Sequence, residues 1–466
     1  MAHISKEAVR EIIEDFALEI VAAKAPGPKP EVAVIDFRHD KKDGKERKVY
    51  SVPIGLLRFR KENGRIASDV FSYEKLHGVI SETDSEGQKV LADFLKAKDP
   101  DQTDTLKKSV QQTGQTDPAI ITADGFLING NRRRLVLEML WEETHDPEFS
   151  RMRVVILPGE SEEGGPPTVK EIEQVENRYQ LYKDGKSEYS NFDRALSIRR
   201  KIDLGMSLEE QFRDDPSTSG MTEKEVKKER QRYEEEFLGP LECVDRYLQM
   251  LGREEMYTLV SAGKGDRENR WQAFIDYYKL YKRLRDPAER VKLNIEEKEV
   301  GRVEQMAFVL IRLRDFSGLI KLHMLIRKLP KWVANPLVKK ELLQINVLEE
   351  EPEDKKALDF EELDKKWVNI NRTNITRQVN KARELIERNE KMETPVVLLR
   401  DALTKLEDDG MDTASMKFTD LPEALRLAEA IKTRADELNK EFYQYQKKGE
   451  SFITGNRVKG RDANKI

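Results

Sequence analysis

The stretch of residues 119–140 limits most strongly how this chain can fold. It reads AIITADGFLINGNRRRLVLEML: two short apolar segments, an Asp124-Gly125 turn between them, and a helix-forming run after Gly130. Asp-Gly tolerates the positive φ angles of a tight hairpin turn. The pattern therefore predicts a β-hairpin of residues 119–122 and 126–128 that leads directly into a helix.

Three arginines, Arg132, Arg133 and Arg134, stand where this helix begins, directly after Gly130. The first turn of a helix has backbone N–H groups without helical partners and a partial positive charge, and a glycine leaves room for an anion beside them. A guanidinium group adds a planar fork that matches two phosphate oxygens. Locally, the pattern fits a phosphate-binding turn and equally a solvated helix face after an ordinary turn.

Composition excludes several classes of protein. The 466 residues include one cysteine, Cys243, and five scattered histidines, so we expect neither a disulfide framework nor a cysteine or histidine metal site. The 83 Lys and Arg against 88 Asp and Glu argue against a uniformly basic nucleic-acid coat, although local basic patches are compatible with that balance. No apolar run has the length of a membrane span, and the N-terminus lacks the apolar core of a signal peptide. We therefore expect a cytoplasmic protein with no membrane partner.

Hydrophobic period, proline-rich stretches and charge runs divide the chain into six predicted parts. The first third mixes β segments with helices, and the rest reads as helix after helix, so the predicted fold class is an α+β N-terminal domain followed by a predominantly α-helical remainder. The parts are an amphipathic helix and linker (1–30), the α+β domain (31–182), a helical segment with a degenerate helix-turn-helix pattern (183–239), a helical domain (240–350), a helical bundle or coiled coil (355–446) and a basic, disordered tail (447–466).

Two patterns in the helical remainder bear on partners. Ser207 as a helix N-cap and the T-x-x-E capping box of Thr222 and Glu225 follow the order of a helix-turn-helix unit. Acidic residues alternate with the basic ones on the second helix, which favours a solvated face over a DNA-binding one. Apolar residues from Leu421 to Phe442 recur in steps of three and four, which predicts a heptad seam that closes within the chain or against a second copy.

The order of features in the α+β part resembles the N-terminal nucleotide-binding domain of the ParB/sulfiredoxin-like superfamily. ParB proteins carry the boxes G-x-x-x-P, G-E-R-R and E-N-x-x-R in that order. In this chain residues 114–118 have the first pattern, residues 130–133 read GNRR, and Glu176-Asn177 begins the third. Asn63-Gly64-Arg65 falls where the family has its base-proximal box. The resemblance extends over residues 49–182.

The resemblance implies a bound nucleoside triphosphate, CTP or ATP, together with Mg²⁺. The site residues that it implies form two groups. The nucleotide-binding group is Arg65, Gly114, Gln115, Gly130, Asn131, Arg132 and Arg133. The second group, expected to bind the metal and to serve any catalytic step, is Glu176 and Asn177.

Two departures from the family pattern bear on catalysis. Asn131 replaces the glutamate of the second box, and Gln180 stands where the third box has arginine. Because an acid and a cation are both missing, nucleotide binding is a stronger expectation than hydrolysis. Position 131 is also where sulfiredoxins carry their catalytic cysteine, so this chain lacks the thiol for that reductase chemistry.

The leading hypothesis is a ParB-like protein in which bound nucleotide controls a DNA-directed or assembly function, in a partition-like, anti-phage or mobile-element setting. One alternative is a ParB-like nuclease or NTPase that acts on DNA, and Asp36, Glu46 and Lys48 loosely match the acids and lysine of metal-dependent nucleases. Another is a non-catalytic scaffold that forms oligomers through its C-terminal helices. The expected partners are DNA and a second copy of the chain.

Overall fold

A computed structural model describes residues 9–26, 31–38, 46–181, 190–214, 220–261, 267–316, 318–348, 360–412 and 416–462. The chain divides into two compact units, residues 1–386 and 387–466. The first unit has a small mixed sheet near its N-terminus and helices after it, which confirms the predicted order of an α+β region and a helical remainder. The boundary predicted between residues 350 and 355 lies outside the described ranges.

The sheet of the first unit has antiparallel and parallel pairs. Its strands are β1 Ala25–Pro26, β2 Val32–Val34, β3 Glu46–Pro53, β4 Ala119–Ile121 and β5 Arg151–Ile156. β3 pairs antiparallel with β1, β2 and β5, whereas β4 runs parallel to β5. Parallel neighbours need a crossover connection, and the helix that follows the predicted hairpin supplies it.

The predicted hairpin forms, but residues 126–128 make isolated bridges and not a second strand. Thr122 N donates to Phe126 O and Ile128 N to Ile120 O, both at 2.9 Å. Gly125 has a φ of +84°, as the tight turn requires. The hairpin therefore ends beside β4, at the residue where the next helix begins.

Six helices surround the sheet. They are α1 Glu14–Ala23, α2 Ala67–His77, α3 Ser85–Ala97, α4 Pro100–Thr113, α5 Asn131–Thr144 and α6 Val169–Leu181, with a short 3₁₀ turn at Gly64–Ile66 between β3 and α2. Alternate residues of β4 face opposite cores: Ala119 and Ile121 pack with α3 and α5, and Ile120 packs with α6. The sheet therefore separates α5 from α6.

One continuous hydrophobic core joins the helical part of the first unit, from Phe192 to Ile386. Its helices are α7 Asn191–Asp203, α8 Leu208–Asp214, α9 Glu223–Tyr233, α10 Gly239–Met250, α11 Thr258–Ser261, α12 Arg267–Arg285, α13 Pro287–Lys292, α14 Val300–Leu313, α15 Leu322–Ala334, α16 Pro336–Leu342 and α17 Phe360–Leu406. The predicted capping box is present, with Thr222 and Glu225 bonding each other's backbone N–H. A π turn, Glu234–Leu238, carries α9 into α10 without a break in the helix.

The second unit contains the last residues of α17, from residue 387, and α18 Leu421–Asp462. Residues 447–462, which the sequence assigns to a tail, belong to α18. Apolar side chains on both helices are exposed, among them Val396, Leu399, Leu403 and Ile431. Among the described helices, none is both long and apolar enough to cross a membrane.

Candidate functional site

Gly130 caps the start of α5 with a φ of +83°. A Cβ atom at this position would lie 2.7 Å from the Cβ of Ala119 and 3.1 Å from the Cε of Met152. Only glycine adopts this backbone readily and leaves room for the strand beneath it. The packing of α5 on the sheet therefore explains this glycine, whether or not an anion binds beside it.

Arg132 lies in the first turn of α5 and is within electrostatic range of Arg65 in the 3₁₀ turn before α2. The Arg132 side chain is 13% exposed, and its Nη2 is 3.2 Å from Oδ2 of Asp99. Burial and the positive charge of Arg65 lower the pKa of Arg132 to about 10, although Asp99 acts in the opposite direction. Arg132 is still charged at neutral pH, so a partly desolvated cation lies in the first turn of α5, where the helix dipole is also positive.

The Arg133 side chain binds a different part of the structure from Arg132. Its guanidinium donates to the backbone carbonyl of Asp117, which also accepts a bond from Gln115 Nε2 at 2.8 Å. Gln115 bonds both the N–H and the carbonyl of Arg153 on β5, and Gly114 ends α4 with a φ of +71°. These three predicted site residues hold the loop before β4 against β5, and their described contacts do not join them to Arg65.

Asn131 is the first residue of α5 and is 7% exposed. Its Oδ1 accepts no hydrogen bond from any residue that the structure describes. A buried polar atom without a partner costs about 1–3 kcal/mol. The Asn131 amide is thus a polar group at the α5 start that a bound ligand could satisfy.

Glu176 and Asn177 lie on α6 and are both buried. Glu176 Oε1 accepts from Gly64 N at 3.3 Å, next to Arg65 in sequence, and Glu176 Oε2 is 3.6 Å from Arg60 Nη1. Asn177 Oδ1 accepts from Lys201 Nζ at 2.9 Å. The structure thus connects α6 to the loop that carries Arg65.

A charge cluster that the sequence did not predict surrounds Glu176. We define it as Arg60, Glu62, Glu173, Glu176 and Arg200, of which Arg60, Glu173 and Glu176 are buried and the other two are half-buried. Arg60 Nη2 is 3.4 Å from Glu173 Oε1, and Arg200 contacts Glu173 at 3.7 Å and Glu62 at 3.8 Å. Arg60 lies after β3 and is only 5% exposed. No local pattern indicates that α6 covers it.

The contacts of Glu176 and Asn177 are with cationic side chains and not with further metal ligands. Burial and the neighbouring Glu173 raise the pKa of Glu176, and burial lowers the pKa of Lys201, so burial opposes the charge of both groups. Within the described ranges, no three His, Cys, Asp or Glu side chains converge as metal ligands. Mg²⁺ at Glu176 and Asn177 would have to displace Arg60 and Lys201, so these two residues do not fit a metal site in the conformation seen.

The basic residues of α9 are partly neutralised. Arg230 lies 3.2 Å from Glu209, and Arg232 pairs with Glu229 on its own helix and with Glu236 in the π turn that follows. Lys224, Lys227 and Lys228 are exposed. This helix therefore carries the mixed charges of a solvated face, as the sequence favours.

Comparisons with protein-family models, with curated proteins and with solved structures find no match for this chain. What the site binds is therefore inferred from its own residues.

Proposed function

We propose that the α+β region is a ParB-like domain that binds a nucleoside triphosphate, CTP or ATP, and that the nucleotide controls a DNA-directed or assembly function of the helical remainder. The observation that carries the proposal is the position of Arg132 in the first turn of α5, where its side chain is largely buried and within electrostatic range of Arg65. Like charges in a partly desolvated position repel each other, and a phosphate between them would reverse the sign of that interaction. The first turn of α5 itself contains no acidic residue, and an anion at Arg132 would compete with the carboxylate of Asp99.

The contacts around Arg65 supply a route from the nucleotide to the helices. Its loop bonds Glu176 through Gly64 N, and the same cluster reaches α7 through Arg200. A second connection runs through Asp193 of α7, which accepts from Ser68 N at 3.1 Å and lies 3.0 Å from Lys98 Nζ. A ligand that moves the Arg65 loop would therefore act on α7 directly.

The chemistry of the site supports binding more than turnover. Mg²⁺, when bound with the nucleotide, would neutralise phosphate charge. The nearest acid of α6, Glu176, is engaged by Arg60 and by a backbone N–H. Position 131 offers an amide rather than a carboxylate, so that no general base is present at the first residue of α5.

Calorimetric titration of the full chain with CTP, ATP, GTP and UTP in Mg²⁺, with and without duplex DNA, tests the proposal. We expect one nucleotide to bind and the Arg65→Ala/Arg132→Ala variant to lose at least about tenfold in affinity, since charge-assisted hydrogen bonds contribute strongly. Arg426→Ala, which removes an exposed arginine from α18, is the control and should bind as the wild type does. If none of the four nucleotides binds, or if the double variant binds unchanged, the proposal fails.

A second candidate function is self-association through the C-terminal helices. The observation that favours it is the exposure of apolar residues at heptad spacing in the second unit, where Leu421, Ile431 and Phe442 are 37%, 46% and 42% exposed. A single helix with such a stripe gains most of its stability from a partner that covers the stripe. We propose a second copy of the chain as that partner.

A further inference from the structure

A cavity of about 600 Å³ lies in the helical part of the first unit, far along the chain from the α5 start. Its walls come from the end of α10, from α14, from the end of α16 and the residues after it, and from the beginning of α17. Ligand pockets in proteins commonly have about 300–1,000 Å³. The cavity is therefore large enough for a small organic molecule.

The inner wall of this cavity is apolar. Met306, Val309, Leu342 and Trp367 line it and are all buried. Leu343 and Phe360 extend the apolar surface, and Gln305 and Asn346 add polar groups to the lining. The apolar part of the wall favours a hydrocarbon or aromatic group.

The charged residues that line the cavity are all cations. Arg253 is buried and lies 3.0 Å from Asp364, and Arg312 is 3.1 Å from the same carboxylate. The other two, Arg302 and Lys366, are exposed and form no ion pair with any residue that the structure describes. Arg302 makes one long bond, of 3.4 Å, to the carbonyl of Leu343.

We propose that this cavity binds a small amphipathic anion, with an apolar body against Met306, Leu342 and Trp367 and a carboxylate or sulfonate at Arg302 and Lys366. The apolar wall removes the body from water, and the two cations at the opening bind the head group without the cost of burying it fully. Cationic ligands are disfavoured by the charge of the lining. The proposal does not depend on nucleotide binding, because it involves none of the residues at the α5 start.

Calorimetry of the full chain with dodecanoate, dodecanol and dodecyltrimethylammonium, each below its micelle concentration, tests the proposal. The three probes share an apolar body and differ in head-group charge. We expect dodecanoate to bind at least tenfold more tightly than dodecanol and dodecyltrimethylammonium to bind most weakly. Absence of dodecanoate binding, or equal affinity for the three probes, would overturn the proposal.

Two variants and one control variant test whether the probes bind in this cavity. Arg302→Gln/Lys366→Gln should weaken dodecanoate at least tenfold and leave dodecanol unchanged, because it removes charge and no apolar wall. Leu343→Trp, which places a larger side chain at the half-buried edge of the cavity, should weaken both. Lys365→Gln changes the adjacent lysine of α17, which does not line the cavity, and should leave both affinities unchanged. Dodecanoate binding that survives the double variant would also contradict the proposal.

Discussion

Gly130 connects β4 to α5 in a left-handed backbone conformation, directly over Ala119. We predict that Gly130→Ala lowers the free energy of unfolding by about 2–4 kcal/mol, because the positive φ and the close approach of two Cβ atoms both oppose a side chain. Urea unfolding of the variant measures this loss. Gly301→Ala is the matched control: Gly301 lies in α14 with open space around it, so alanine should be neutral or stabilising there. Equal stability of Gly130→Ala and wild type would contradict the packing role.

Glu82 makes the stability of the α+β region depend on pH. Burial and the nearby carboxylate of Glu62 raise the pKa of Glu82 to about 7, while its Oε1 accepts from Lys61 N at 2.6 Å. A carboxyl group whose pKa is raised by folding stabilises the fold fully below its unfolded pKa, and this contribution is lost as the pH rises through 7.

We therefore predict that Glu82→Gln, which keeps the oxygen acceptor and removes the charge, is more stable than the wild type at pH 8 and similar to it at pH 4.5. The difference at pH 8 should be roughly 1–3 kcal/mol after allowance for partial exposure to solvent. Thermal unfolding at the two pH values measures it. Glu86→Gln removes an exposed carboxylate of α3 and serves as the control. A stability difference that is the same at both pH values would contradict this assignment.

At the scale of elements, the charge cluster attaches α6 and α7 to the loop after β3. Arg60 lies between three carboxylates of the cluster, at 3.4 Å from Glu173, 3.6 Å from Glu176 and 3.9 Å from Glu62. Removal of one partner from a buried ionic group leaves uncompensated charge, which costs more than the ion pair contributes.

We predict that Arg60→Met lowers the free energy of unfolding by about 3–5 kcal/mol, because it leaves these carboxylates without their central cation. Adding Glu176→Gln to that variant should recover part of the loss, since it neutralises one of the uncompensated carboxylates. Urea unfolding of the two variants beside the wild type provides the comparison. A single variant within 1 kcal/mol of the wild type, as expected for an ordinary surface substitution, would show that the cluster does not hold these elements together.

At the scale of the whole molecule, the exposed heptad seam of the second unit predicts self-association. We expect the full chain to be oligomeric in sedimentation equilibrium at micromolar concentration and Ile431→Glu to shift it toward monomer, because a charge at a seam position opposes burial. Lys440→Glu changes a charge on the same helix outside the seam and should leave the oligomer intact. A monomeric wild type would rule out the second copy as the partner of this seam.

Local chemistry in the sequence determined much of the fold. The Asp124-Gly125 hairpin, the helix that starts after Gly130 and the capping box at Thr222 all appear as predicted, because each depends on backbone angles and hydrogen bonds within a few residues. The change from an α+β region to helices also follows from the spacing of hydrophobic residues along the sequence. The resemblance to ParB proteins and the nucleotide stay predictions.

Only the tertiary structure decided which of the predicted site residues lie together and which lie apart. Arg132 binds Asp99, whereas its neighbour Arg133 binds the Asp117 carbonyl, and sequence spacing cannot distinguish the two. The pairing of Arg60 with Glu173 joins residues 113 positions apart. Such contacts depend on how the sheet, α6 and α7 pack. The stretch of residues 119–140 by itself determined where the helix with its arginines begins. Packing determined which partner each of these arginines has.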